Sequence, residues 1–225
     1  MEDSDSRILY NGPITIEEDM FLIAYAVKEG YADSKTAAFV YTVEEQSENP
    51  FTDVPEDQWY FDPVLWAVEN GITSGTSATT FAPNATCTRA QVVTFLWRAK
   101  GQPEPASDEN PFSDVTAADY FYKAVLWAVE NGITSGTGNG KFSPNNPCTR
   151  DQVVTFLWRT MGQPAPEKTE NPFTDVAEGV YYYQPVLWAV ENGITSGTSS
   201  TTFAPSNPCT RAQVVTFLYR ALKDK

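Results

Sequence analysis

The chain has 225 residues, a formal net charge of −14 and no histidine. That balance argues against broad binding to nucleic acid or to an anionic membrane, which needs clustered cations. Hydrophobic content is ordinary for a soluble globular protein, and no apolar run is long enough to span a bilayer.

The start, Met1-Glu2-Asp3-Ser4-Asp5-Ser6, is acidic and lacks the basic and apolar regions of a signal peptide. It fits an intracellular protein or a mature fragment with an added Met, and the sequence alone favours neither. Thr15-Ile16-Glu17-Glu18 reads as a capping box. Met20, Ile23, Ala24 and Val27 follow at helical spacing and Gly30 suits a stop, so a helix is predicted here. Thr36 to Val43 is short and rich in β-branched and aromatic residues, and admits strand or helix. Residues 1–48 carry no chemical motif and read as a small adaptor or the remnant of a neighbouring domain.

From residue 49 the chain repeats. The stretch Leu65–Thr76 returns letter for letter at Leu126–Thr137 and at Leu187–Thr198, a period of 61 residues. Phe51, Phe112 and Phe173 keep the step, as do Thr88, Thr149 and Thr210. A fixed period of this length signals a stacked or ring-like repeat. One unit alone buries little apolar surface, so the three are expected to share one core.

Each repeat opens Asn-Pro-Phe, with Asp53, Asp114 or Asp175 two residues after the Phe. Aromatic clusters beginning at Trp59, Tyr120 and Tyr181 follow. A first helix is predicted from about these aromatics to Asn70, Asn131 and Asn192. Phe61, Leu65 and Val68 form one face, Pro63 and Pro185 are confined to the first turn, and Gly71-Ile72 is a Schellman stop. Trp66, Trp127 and Trp188 read as packing. The next loop carries Gly75, Gly136 or Gly197, which permits positive φ and close approach by a ligand, or simply a turn. Thr88-Arg89-Ala90-Gln91, Thr149-Arg150-Asp151-Gln152 and Thr210-Arg211-Ala212-Gln213 are capping boxes opening a second helix. Val92, Phe95, Leu96 and Ala99 form its stripe, widened by Val93 and Trp97, so this helix is expected to be enclosed and to pack centrally with its two equivalents. Gly101 and Gly162 end the first two copies, and the linkers 102–109 and 163–170 are rich in Pro and acids, hence exposed and extended.

Cys87, Cys148 and Cys209 occupy one repeat position, an odd count that makes a poor disulfide framework. They are expected to be free, small buried hydrophobes. The alternative is a three-thiolate metal site on the repeat axis, for which the sequence offers no histidine. Apart from Arg7, every arginine lies at one of two repeat positions, Arg89/Arg150/Arg211 or Arg98/Arg159/Arg220, so an anion must be recognised locally against an unfavourable overall field.

Phe-x-Asp-Val, then aromatics, then Trp-Ala-Val-Glu-Asn-Gly-Ile-x-x-Gly, then Phe-x-Pro, then Thr-Arg-x-Gln resembles the S-layer homology (SLH) module in three tandem copies over residues 49 to about 222. The modules would span 49–103, 110–164 and 171–222. The resemblance implies a mainly helical, all-α fold: a pseudo-threefold spindle of three helix-loop-helix repeats around a central three-helix bundle. It implies a secreted, extracellular protein at the bacterial cell wall or S-layer, with a cargo domain N-terminal to the fragment as a further partner. Grooves between modules would bind secondary cell-wall polysaccharide, commonly with pyruvylated N-acetylmannosamine, without catalysis, cofactor or metal. The family's Thr-Arg arginine maps to Arg89, Arg150 and Arg211, its early aspartate to Asp53, Asp114 and Asp175, and its loop glycine to Gly75, Gly136 and Gly197. This chain departs in Gln91, Gln152 and Gln213, where the family usually has Glu, in Cys for an Ile-like residue, and in Tyr120 and Tyr181 where the first repeat has Trp59.

For the arginine there are two readings. It pairs with the early Asp and ties loop to helix, or it binds a ketal carboxylate in bidentate fashion, helped by exposed helix N–H groups and the Gly75-type backbone. Trp59, Tyr120 and Tyr181 are core residues or faces that stack on a sugar. Threefold repetition of every candidate acid argues against an enzyme. A self-assembling surface-layer or host-contact structural protein is the alternative to a wall anchor.

Overall fold

A computed structural model of the chain describes residues 8–42, 49–168 and 170–223. Two compact units emerge, Met1–Ser47 and Glu48–Lys225. The acidic start at 1–6, Val43 and linker residue 169 lie outside the described residues.

The first unit is a β-hairpin, which corrects the predicted helix and the all-α reading of the chain. β1 (Met20–Ala24) pairs antiparallel with β2 (Ala37–Tyr41) in the register Met20↔Tyr41 to Ala24↔Ala37. Thr15 caps no helix. Met20–Ala24 is a continuous apolar run, and period alone does not separate helix from strand in so short a run. The partner strand supplies the backbone bonds that decide it. The hairpin is closed by mutual bonds between Ala26 and Ser34, the Ala26 N–H reaching Ser34 Oγ and the Ser34 N–H reaching the Ala26 carbonyl.

The second unit is mainly helical. Each repeat contributes a short helix and a longer one: α1 (Phe61–Glu69) and α2 (Arg89–Ala99), α3 (Tyr122–Glu130) and α4 (Arg150–Thr160), α5 (Tyr183–Glu191) and α6 (Arg211–Leu222). The short helices end as Schellman motifs. Ile72 N–H bonds to the Ala67 carbonyl, Gly71 N–H to Val68, and Gly71 has φ +65°. Arg98, Arg159 and Arg220 then donate to the carbonyls of Ile72, Ile133 and Ile194, placing a cation just past each helix end.

The long helices are sheathed. Along α2 every residue from Val92 to Trp97 is buried. α2 packs on α4 and α4 on α6, while each short helix lies against the long helix of a different repeat: α3 on α2, α5 on α4, α1 on α6. Buried residues of all three repeats form a single core cluster, led by Phe81, Phe142 and Phe203. At one position the repeats meet backbone to backbone. The N–H of Cys148 bonds to the carbonyl of Cys87, that of Cys209 to Cys148, and that of Cys87 to Cys209, each 2.9 Å long, in a closed ring. The linkers are extended but pinned. Glu130 accepts from the N–H groups of Ala106 and Ser107, and Glu191 from that of Glu167.

Candidate functional site

The arginines that open the long helices do not stay within their own repeat. Arg89 Nε donates to the Phe142 carbonyl at 2.9 Å, Arg150 Nε to Phe203 at 2.8 Å, and Arg211 Nε to Phe81 at 2.9 Å. Each guanidinium lies over two rings of the neighbouring repeat, Arg211 over Phe81 (4.7 Å) and Phe95 (5.6 Å), with Arg89 and Arg150 in the same setting. All three arginines are only 3–4% exposed. Burial lowers their pKa values, opposed chiefly by the neighbouring cysteine in each case.

The early aspartates reach the same loop residues from the other side. Asp53 accepts from the N–H groups of Phe81 and Ala82, Asp114 from Phe142 and Ser143, and Asp175 from Phe203 and Ala204, at 2.7–2.9 Å. None of the three is ion-paired to an arginine among the described residues. Aspartate and arginine therefore grip the N–H and the C=O of one phenylalanine, which replaces the direct Asp–Arg pair of the first of the two readings. Burial pushes the Asp114 carboxyl up, but the backbone N–H bonds and nearby Lys141 outweigh it and hold the group below the ordinary range.

One further expectation is corrected, and the loop glycines gain a structural reason. The first two N–H groups of each long helix are not left for a ligand: Arg89 and Ala90 donate to the carbonyls of Asn146 and Pro144, Arg150 and Asp151 to Asn207 and Pro205, and Arg211 and Ala212 to Ala85 and Pro83. The first two orphan donors of each helix start are satisfied by the next repeat's loop. The loop glycines serve packing. Gly75 has φ +82°, and a Cβ there would stand 2.6 Å from both the Phe51 ring and the Thr80 carbonyl; Gly136 and Gly197 are equally tight.

Sequence reasoning passed over Thr73, Thr134 and Thr195. These buried hydroxyls accept from the N–H of Gly75, Gly136 and Gly197, and Thr73 and Thr195 also accept from Nη2 of Arg211 and Arg150. Their signal was the invariant Ile-Thr-Ser-Gly, read only as the stretch after a helix stop. Trp59, Tyr120 and Tyr181, by contrast, stand 57%, 64% and 56% exposed, each edge-on to the aromatic that follows it. Tyr120 lies within electrostatic range of Arg211, and Tyr181 of Arg89. Trp127 and Trp188 are buried and Trp66 is half-buried against Tyr219, in line with packing.

The second repeat breaks the pattern. The helices α2 and α6 carry full capping boxes, with Thr88 and Thr210 accepting from Gln91 and Gln213 and the glutamines answering in return. In α4 the expected box is absent. Thr149 Oγ1 donates instead to Asp151, which also accepts from the Tyr181 hydroxyl. Gln152 Oε1 is drawn across to Arg89 Nη1 at 3.1 Å.

The three cysteines are free and fully buried. Desolvation raises the thiol pKa of Cys87 and Cys209 from 9.0 to about 12, and that of Cys148 well above 9.0. Among the described residues no group of three or more acids and cysteines is placed to hold a metal ion, and no helix is long and apolar enough to cross a membrane.

The S-layer homology domain model matches at residues 50–93, 111–154 and 172–215. The chain belongs to the S-layer homology domain family. Its modules resemble an endoglucanase of Bacillus sp. (strain KSM-635), 31% identical over 73% of this chain and 18% of that protein. They resemble the surface-layer 125 kDa protein of Lysinibacillus sphaericus, 37% identical over 56% of this chain and 11% of that protein. An S-layer protein of Bacillus thuringiensis subsp. finitimus is 28% identical over 77% and 21%. The SLH chain thus spans about a fifth or less of these relatives' lengths. The modules serve anchoring at the cell surface, and membership of the family places the chain outside the cell at the wall.

Proposed function

We propose that the three modules stand about a pseudo-threefold axis as a spindle, with α2, α4 and α6 as a central bundle, and that grooves between modules bind an anionic cell-wall polysaccharide without catalysis. The closed ring at the cysteines and the cyclic pairing of short with long helices support the arrangement. The observation that carries the binding reading is the trio of buried guanidinium cations with no carboxylate paired to them among the described residues. A buried charge ordinarily demands a counter-ion. Here ring faces and carbonyls hold it, so positive potential remains for a ligand carboxylate such as the ketal acid of a pyruvylated sugar. The half-exposed faces of Trp59, Tyr120 and Tyr181 offer stacking surfaces beside it. Short fixed contacts of this kind overcome the repulsion between an acidic protein and a polyanion.

Purified wall polysaccharide tests this, before and after chemical removal of pyruvate. Retention of the protein by the intact polymer and its loss on the stripped one is the expected result. Equal retention by both, or none by either, ends the anionic-glycan reading. A monomer in sedimentation separates an anchor from a self-assembling structural protein.

A further inference from the structure

The three grooves are not chemically alike, and the difference begins at one residue. The position after the motif arginine is Ala90 in the first repeat and Ala212 in the third, but Asp151 in the second. Asp151 is only 9% exposed, and its carboxylate sits beside the Arg89 guanidinium's field without forming an ion pair.

Its consequences run outward. Asp151 takes the Thr149 hydroxyl, so the cap of α4 is lost. Gln152, released from the box that holds Gln91 and Gln213, accepts from Arg89 Nη1. Arg89 Nη2 is left sealed from solvent with no partner, the one buried side-chain atom in that condition among the described residues. Arg150 and Arg211 differ. Each spends Nε on a carbonyl and Nη2 on a threonine, and Nη1 has no protein partner among the described residues and is not sealed away. Asp151 also accepts from Tyr181, tying down the exposed aromatic of its own groove, a bond Tyr120 does not make.

We propose that Asp151 determines specificity among the grooves: the one formed by Arg89, Asp151 and Tyr181 rejects the anionic sugar that the grooves at Arg150 and Arg211 accept. Resting on the anionic-glycan reading above, this adds which sites are competent and why. The fixed carboxylate repels an incoming carboxylate at short range, and Gln152 occupies the guanidinium nitrogen that the ligand would need.

The test is titration with a pyruvylated N-acetylmannosamine methyl glycoside, followed through the Nε–H NMR resonances of Arg89, Arg150 and Arg211, which report each groove separately. In the unaltered protein Arg150 and Arg211 should shift with saturation, and Arg89 should respond at least about tenfold more weakly. Asp151→Ala restores the residue of the other two repeats and should bring Arg89 into line with them. Asp151→Asn, which keeps the shape and removes the charge, should move Arg89 in the same direction. Three equal responses in the unaltered protein overturn the inference and leave the anionic-glycan reading standing, and so does an Arg89 that stays silent in both variants while the other two respond. No response at any arginine ends the anionic-glycan reading itself, and this inference with it.

Discussion

Arg211 donates its Nε to the carbonyl of Phe81, a residue 130 positions earlier in the chain, and lays its guanidinium 4.7 Å from that residue's ring centre. The last repeat is thereby fastened to the first. Arg211→Ala would remove the donor, leave the Phe81 carbonyl unpaired and open a void between two rings. A loss of about 3–5 kcal/mol is expected. Arg211→Lys keeps charge and stem but lacks the planar fork, and should lose about 1–3 kcal/mol. Urea unfolding of the two variants checks both values. Because truncation damages the fold, an arginine-to-alanine triple mutant is a poor probe of binding.

The exposed aromatics are the better probe. Trp59→Ala and Tyr120→Ala each remove a face that is more than half exposed, together with one edge-on contact to Tyr60 or Phe121. Stability should fall by no more than about 0.5–1.5 kcal/mol. Retention by purified wall polymer should drop clearly. Undiminished retention by the double variant would show that these rings are not sugar platforms.

The glycines separate two kinds of need. Gly71 has φ +65° with nothing within 4 Å of an added Cβ, so Gly71→Ala should cost only the left-handed strain, about 1–2 kcal/mol. Gly75 has φ +82° and no room, and Gly75→Ala should add overpacking against Phe51 and Thr80, for a total of about 2–5 kcal/mol. Equal melting temperatures for the two variants would contradict the packing role of Gly75.

The thiols give a pH signature. Burial raises all three, so the folded state resists their ionisation. The stabilisation this contributes is full below about pH 9 and, for Cys87 and Cys209, is lost as pH climbs toward about 12, at up to about 1.4 kcal/mol per pH unit for each, with Cys148 acting in the same direction. A variant with alanine at Cys87, Cys148 and Cys209 should show a shallower decline over that window in denaturant titrations. Thiol reagents should react slowly with the native protein and fast after unfolding, and a disulfide between any two cysteines would defeat this account.

The repeats' helices, their Schellman stops and two of their three caps were legible because each rests on residues close in sequence. Gly71 with Ile72, or Thr88 with Gln91, settles its own geometry. The third cap failed for an equally local reason that pattern reading overlooks, since the Asp151 carboxylate accepts the Thr149 hydroxyl and turns its oxygen away from the backbone N–H it would cap. The hairpin was misread because Met20–Ala24 suits either element until Ala37–Tyr41 pairs with it. The arginine partners were illegible for a deeper reason. A period of identical copies says which positions are equivalent and nothing about which copy a side chain reaches, so a direct Asp–Arg pair stood as one reading where Asp53 and Arg211 in fact both hold Phe81.

The ring of backbone bonds at Cys87, Cys148 and Cys209 sets the copy number. An open solenoid exposes a bonding face at each end and can lengthen by duplication. Here Cys209 donates its N–H to Cys148 and accepts from Cys87, and no face of the ring is left over. A fourth module could enter only by opening the ring, and deleting one would strand two partners at once. The three modules of this chain are accordingly one folding unit, with a single core and no separable end.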